Sequence, residues 1–290
     1  MSVKDAVIPF VFDELPVRGA LVQLDTAWQR MRGDHDYPAP VAQILGQAAA
    51  ATALIAQSLK FHGSVTLQIV SDGPLGIVVV QSTNALDLRG MSTGTAVLPT
   101  ASYAELVTKA RCAVTVDAGE MERPYQGIVE ISADSLAASL ENYFRRSVQV
   151  PSHLQLVSSD SYCGGILLQR MPGEVFDFED DWRRLGFLAE TLRAADLENG
   201  ASLELLHKLF VEDDVRAFQS RSLCFKCRCS RERVEDVLRM LGEEESRSTL
   251  AEQGSIDVTC EYCGRLRSFD AIDVSCIFAD TPAPESPSLH

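Results

Sequence analysis

Apolar and polar positions alternate along residues 6–24 around Arg18-Gly19, a period of two that predicts a pair of strands with a turn between them. Residues 28–36 break that rhythm with polar side chains and are expected at the surface. Tyr37-Pro38-Ala39-Pro40 then sets up a helix start, because proline suits a first turn. Along residues 41–59, Val41, Leu45, Ala48, Ile55 and Leu59 recur at helical spacing, with Thr52 the one polar member of the stripe. Alanine dominates this run, so the helix can approach its neighbours closely and be buried nearly all round. Residues 65–70 and 76–81 are β-rich and joined by Ser71-Asp72-Gly73-Pro74, which predicts a hairpin. Residues 86–90, 113–117, 127–131 and 164–169 also read as strands, and 103–109 as a short helix. Residues 135–144 form an amphipathic helix with Leu136, Leu140 and Phe144 on one face and Ser135 as its cap; Pro151 marks a break after it. Helices and strands mix without regular βα alternation, so residues 1–173 are expected to be an α+β domain.

After Pro172-Gly173 the pattern changes. Residues 174–223 carry 12 acidic and 6 basic side chains, yet Trp182, Leu185, Leu188 and Leu192 recur at helical spacing, as do Leu203, Leu206, Leu209 and Phe210. Asn199-Gly200 separates the two stripes. A segment this apolar is no plain flexible linker, and its stripes need a cover, most simply the first domain. Residues 224–280 form a small cysteine-bearing module, and 281–290 a Pro/Ser-rich tail expected to be disordered.

Composition narrows the partners. The 290 residues are 46% hydrophobic and 23% charged, ordinary for a globular protein, with a net charge of −15. That balance argues against a polyanionic partner, since nucleic-acid binding needs Lys and Arg to neutralise phosphates. No run of eighteen apolar residues suggests a membrane span, and the first residues lack an export pattern, so a cytoplasmic location is expected. Eight cysteines in a reducing compartment then read as metal ligands or redox groups.

Their spacing is specific. Cys227-Arg228-Cys229 and Cys260-Glu261-Tyr262-Cys263 are separated by residues 230–259, and two close pairs are how zinc commonly receives four thiolates. Cys224-x-x-Cys227 also has ligand spacing, so the first pair is open at this level. Buried apolar cysteines are the plain alternative. A four-thiolate site leaves no open coordination position, so it is structural in form, and no catalytic residue is expected. Yet Lys226, Arg228, Arg231 and Arg233 surround the first pair, and positive charge favours the oxidisable thiolate. If oxidation joined nearest neighbours, Cys227 to Cys229 and Cys260 to Cys263, each disulfide would close a tiny loop and the long-range clamp would vanish.

The chain closely resembles the redox-regulated 33-kDa heat-shock chaperone family, also called heat shock protein 33. The resemblance rests on Phe225-Lys226-Cys227-Arg228-Cys229-Ser230, on Ile256-Asp257-Val258-Thr259-Cys260-Glu261-Tyr262-Cys263, and on Phe269-Asp270. It extends through Arg18-Gly19, Tyr37-Pro38, Leu45-Gly46, Leu59-Lys60-Phe61, Asp72-Gly73-Pro74, Tyr125-Gln126-Gly127 and residues 164–169, covering about residues 6–278. Arg267, Val148 and Gln47 depart from it. The resemblance implies a layered β/β/α first domain with a mixed sheet, a helical linker that senses unfolding, and a zinc-binding redox switch. It assigns one Zn2+ per chain to Cys227, Cys229, Cys260 and Cys263 in the reduced form, favouring Cys229 over Cys224. It further implies a non-enzymatic, ATP-independent holdase, inactive when reduced. On the same resemblance, oxidation to two disulfides is expected to release zinc, after which the protein dimerises and binds unfolding clients.

Two rivals use the same residues. A zinc-ribbon nucleic-acid binder would draw on the basic cluster at 226–233, but residues 221–280 hold 9 basic and 12 acidic side chains and lack interleaved aromatics. A disulfide oxidoreductase would act through Cys260 and Cys263, but no βαβ pattern flanks them. Cys112, Cys163, Cys224 and Cys276 read as buried small residues, with Cys224 placed to compete for Cys227 in a disulfide, and His35, His62, His153, His207 and His290 as ordinary core or surface positions.

Overall fold

The computed structural model describes residues 4–33, 35–58, 63–94, 98–119, 124–172, 178–198 and 203–279. The chain divides into two compact units, Met1–Lys226 and Cys227–His290. Strands of the first unit are β1 (Ala6–Phe12), β2 (Val17–Leu24), β3 (Ser64–Ser71), β4 (Ile77–Thr83), β5 (Asp87–Ser92), β6 (Ala110–Asp117), β7 (Tyr125–Val129), β8 (Ser152–Ser158), β9 (Cys163–Arg170), β10 (Val215–Ala217), β11 (Arg221–Ser222) and β12 (Cys224–Phe225). Its helices are α1 (Thr26–Arg32), α2 (Ala39–Ser58), α3 (Tyr103–Leu106), α4 (Leu136–Tyr143), α5 (Glu179–Glu190) and α6 (Leu203–Leu209). The second unit holds α7 (Arg231–Leu241), α8 (Glu243–Gln253), β13 (Ile256–Thr259), β14 (Leu266–Phe269) and α9 (Ala271–Ala279).

The first unit is α+β and layered, as expected. One sheet runs β10-β1-β2-β9-β8, with β11 also on β1; the other runs β12-β5-β4-β3-β6-β7 and is mixed, because β12 pairs parallel to β5. The hairpin of β3 and β4 sets Leu67 opposite Val80. Between the sheets lies α2, touching β2, β8 and β9 of one and β3, β4 and β5 of the other. That position explains its alanines, since Ala48, Ala49, Ala50, Ala51 and Ala53 are all fully buried and let backbone approach on every side. Thr52 is buried there too, and its hydroxyl donates to the Ala48 carbonyl at 2.7 Å, so no polar atom is stranded. By length and composition α2 would also suit a membrane crossing, but most of it is buried inside the protein. Residue 59, read as the last member of its stripe, lies outside the described residues.

The other face of the first sheet carries Ile8, Phe10, Phe12, Leu21, Ile166 and Leu168, packed against Trp182 and Leu185 of α5 and Leu205, Leu206 and Leu209 of α6. The apolar stripes of residues 174–223 are therefore spent on this face. After α6 the chain enters the sheets themselves, as β10 and β11 beside β1 and then β12 beside β5.

Two local expectations are corrected and a third is extended. Residues 28–36 are not a polar surface run: α1 buries Trp28 and Met31 completely, and Asp5 caps it, accepting from the backbone N–H of Asp25 at 2.8 Å and Ala27 at 3.0 Å. The first turn falls at residues 13–16, and Arg18-Gly19 lies inside β2, where the Phe10 ring covers Gly19. The break expected at Pro151 holds, but α4 first runs on as a π-helical turn over Phe144–Val148, closed by left-handed Gln149, and β8, which the pattern did not foresee, follows Pro151 at once.

Candidate metal centre

Cys227 and Cys229 lie on the extended segment that enters α7, whose start is fixed by Ser230: its hydroxyl accepts the Arg233 N–H at 3.3 Å. Cys260 and Cys263 lie on the turn between β13 and β14. There Cys260 N–H donates to the Arg265 carbonyl at 3.0 Å, and its own carbonyl accepts from Cys263 at 3.3 Å and Gly264 at 2.8 Å. The turn needs a left-handed residue, and Gly264 supplies it at φ 66°. Register fixes the hairpin behind it, with Thr259 opposite Leu266 and Ile256 opposite Phe269.

These two turns bring four sulfurs together, all Sγ atoms within 4.8 Å of one another and all four residues half-buried. Two of the approaches cross between the half-sites, Cys227 to Cys260 at 3.6 Å and Cys229 to Cys263 at 3.4 Å. Such a group could hold a metal ion. Burial pushes the Cys227 thiol up to about 12, with the neighbouring sulfurs adding to it. Burial also raises Cys263. At Cys260 burial acts the same way but is outweighed by the backbone N–H groups of Tyr262 and Cys263 and by adjacent thiols, so its pKa is lowered. Four sulfurs this close cannot all be anionic without a cation among them.

Support around the cluster is thin. The core of this unit is Leu238, Ile256, Phe269, Val274 and Ile277, with Val234, Leu250, Val258 and Phe278 partly buried against it. Arg231 ties α7 to α9 by an ion pair with Asp273, and its guanidinium lies 4.5 Å over the Phe269 ring. Two of the four basic side chains near the first pair are thus committed to acids, Arg231 to Asp273 and Lys226 to Asp87 at 2.8 Å.

The other cysteines sit elsewhere. Cys112 and Cys163 are buried among apolar residues, which pushes Cys112 up to about 12 and Cys163 well above its ordinary value. Two of the four are not the buried residues expected: Cys276 is exposed on α9 and Cys224 on β12, a strand at the sheet's edge. Cys224 lies on β12 in the first unit, its Sγ 3.2 Å from the Asp87 carboxylate; burial and then that carboxylate raise its pKa. Of the histidines, His62 and His290 lie outside the described residues. His153 packs against the core: its ring lies 4.4 Å from that of Trp182, tilted by 33°, with Nε2 buried and without a hydrogen bond. The signal for it was the alternation of Leu154 and Leu156, which aims residue 153 at the opposite face.

Compared with known proteins, residues 5–270 match the sequence profile of a family described as Hsp33 protein. The chain is 40% identical over 291 residues to a protein of Nitrosococcus oceani named 33 kDa chaperonin, covering all of both chains. It is 37% identical over 295 residues to a 33 kDa chaperonin of Escherichia coli, again across both full lengths. A crystal structure of the 33 kDa chaperonin, heat shock protein 33 homolog, of Thermotoga maritima shares the fold, with a TM-score of 0.81 at 23% identity over 95% of this chain and 98% of that one.

Proposed function

The chain belongs to the Hsp33 protein family, and on that premise we propose that it is a redox-regulated, ATP-independent holdase whose four-cysteine cluster is the switch. The observation that carries this reading is the meeting of Cys227, Cys229, Cys260 and Cys263 from half-sites separated by residues 230–259. The donor set suits Zn2+: tetrahedral zinc with sulfurs at roughly 2.3 Å puts them about 3.8 Å apart. The two separations across the half-sites, 3.4 and 3.6 Å, are near that edge, and the cluster offers sulfur alone. When bound, zinc neutralises the thiolates and joins the entry of α7 to the β13–β14 turn. Structural zinc contributes roughly 10–16 kcal/mol in small domains, as much as burial of the five core side chains of this unit at about 1.5–3 kcal/mol each.

Oxidation removes that clamp. Two electrons leave Cys227 and Cys229 and two leave Cys260 and Cys263, each pair forming one S–S bond while peroxide is reduced to water. Each bond lies inside a half-site, so only the small core and the Arg231–Asp273 pair then join the half-sites, and the second unit melts. Residues 174–223 act as the sensor of unfolding: once α5 and α6 leave the first sheet, Phe10, Phe12, Leu21 and Leu168 become available to unfolding clients. The activated form is a homodimer and the setting is the cytoplasm. No catalytic residue is required. Light scattering of a thermally unfolding protein tests the reading. Oxidised, metal-free protein suppresses the rise and reduced, zinc-loaded protein does not; equal suppression by both forms rejects a redox switch.

A further inference from the structure

Residues 215–222 do more than follow two packed helices: they complete the edge of the first sheet. β10 pairs with β1 in one register, Phe10 opposite Ala217 and Phe12 opposite Val215. β11 pairs with it in another, Ala6 opposite Ser222 and Val7 opposite Arg221. The two registers differ by one residue, so the connector bulges between β10 and β11. The bulge falls across from Pro9, which has no N–H to offer; its carbonyl accepts the Phe218 N–H at 2.8 Å. Asp13 N–H donates outward to the Asp214 carbonyl at 3.0 Å, and the Asp5 carbonyl accepts Leu223 N–H at 2.7 Å. Odd-numbered residues of β1 therefore face the connector, while even-numbered ones bond to β2. The edge is held by a short, interrupted strand, three residues and then two.

Two cavities flank this ribbon. One, about 410 Å³, is lined by Pro9, Val11, Arg18, Ala20, Leu167 and Phe218. The other, about 570 Å³, is lined by Val11, Phe12, Asp13, Met171, Arg216 and Phe218. Phe218 lines both and is half exposed. On the opposite face of the ribbon, Val215 and Ala217 point into the apolar layer beneath α5 and α6.

We propose that, once the connector leaves, the β1 edge takes an extended segment of an unfolding protein as an added antiparallel strand in place of residues 215–222. Main-chain hydrogen bonds to Val7, Val11 and Asp13 and to the Pro9 carbonyl bind any sequence; the side chains of the guest select among them. Alternate apolar residues of the guest replace Val215 and Ala217, and those between them take the places of Arg216 and Phe218 against Pro9, Val11 and Ala20. The guest is an uncharged segment apolar on both faces, as core strands become when a protein unfolds. The resting protein occupies the site with its own chain, and the interruption at Pro9 keeps that occupancy weak enough to exchange.

The inference rests on release of the connector, and one experiment separates the two. Amide hydrogen exchange is followed at Val7, Val11 and Asp13 in the full chain: reduced and zinc-loaded, oxidised, and oxidised with carboxymethylated α-lactalbumin, a permanently unfolded chain. Expected are loss of protection at these amides on oxidation and its recovery when the unfolded chain binds, with Ile8 and Phe10 protected throughout. No loss on oxidation overturns connector release itself. Loss without recovery, while fluorescence anisotropy shows the chain bound, overturns strand addition, as does recovery spread evenly over exposed amides. Val11→Pro removes one outward N–H from an edge strand; in the oxidised protein it is expected to weaken binding about tenfold. Unchanged affinity in that variant also overturns the proposal.

Discussion

Asp213→Ala tests how the connector is held at rest. Asp213 lies in the turn after α6 and receives a two-pronged ion pair from α5, Arg184 Nη1 to Oδ2 at 2.8 Å and Nη2 to Oδ1 at 2.6 Å. The Asp213 side chain is 9% exposed and that of Arg184 33%. Hydrogen bonds between charged groups contribute about 1.5–3 kcal/mol, and parallel pairs with a guanidinium are at the strong end. Two features lower the figure: a third of the guanidinium meets water, and Asp181 remains 3.2 Å from Nη2 after the substitution. About 2 kcal/mol is left, which multiplies the open population of α5 roughly 30-fold. Native-state hydrogen exchange of the reduced, metal-loaded protein reads this directly. Amides of α5 are expected to exchange about 30-fold faster, while those of α2 keep their rates. Asp213→Asn, which retains one acceptor, is expected to lie between. If α5 exchanged at the wild-type rate in Asp213→Ala, the ion pair would not hold the connector and its melting would have another gate.

Other outcomes follow from single contacts. Gly19→Ala places a Cβ 2.2 Å from the Phe10 ring, so urea denaturation is expected to show a loss of about 1–3 kcal/mol; an unchanged midpoint contradicts the packing. Ser230→Ala removes the cap of α7 beside the cysteine cluster and is expected to cost about 1 kcal/mol, read as faster zinc loss to a chelator. His153 is held below its ordinary value by burial, against the pull of Glu190, so unfolding takes up a proton. Its contribution is whole above pH 6.5 and shrinks as pH falls below that value toward the folded pKa. Burial raises Glu141, which acts oppositely: its contribution is whole below pH 4.5 and is lost as pH rises through the folded pKa. Thermal melts at pH 7.5 and 5.5 are expected to differ more for the wild type than for His153→Gln; equal differences contradict this.

Much of the architecture was legible because it rests on local rhythm. The hairpin of β3 and β4, the alanine-rich α2 and the capped α4 each carry their own period and punctuation. The four cysteines were legible from spacing, although choosing Cys229 over Cys224 needed the family resemblance. The structure places Cys224 on β12 beside Asp87, a tertiary fact with no local signature. The segment 28–36 misled because α1 is one short helix that buries Ala27, Trp28 and Met31 among arginines and glutamine. β8 was hidden by Pro151, whose break belongs to the preceding turn and not to the strand it introduces. β10, β11 and β12 are two or three residues each, too short for any period, and exist because β1 and β5 offer edges. That part of the connector is decided by long-range pairing, which hydrophobic patterning does not encode.

The most direct test follows one sample through oxidation. Peroxide is added to reduced, zinc-loaded protein while released zinc is measured with a chromogenic chelator and helix content by far-ultraviolet circular dichroism. The account predicts one zinc per chain leaving in step with loss of the helical signal of α7, α8 and α9. Complete zinc release with an unchanged spectrum would mean that the metal does not hold the second unit folded, and the switch assigned to Cys227, Cys229, Cys260 and Cys263 would have to be given up.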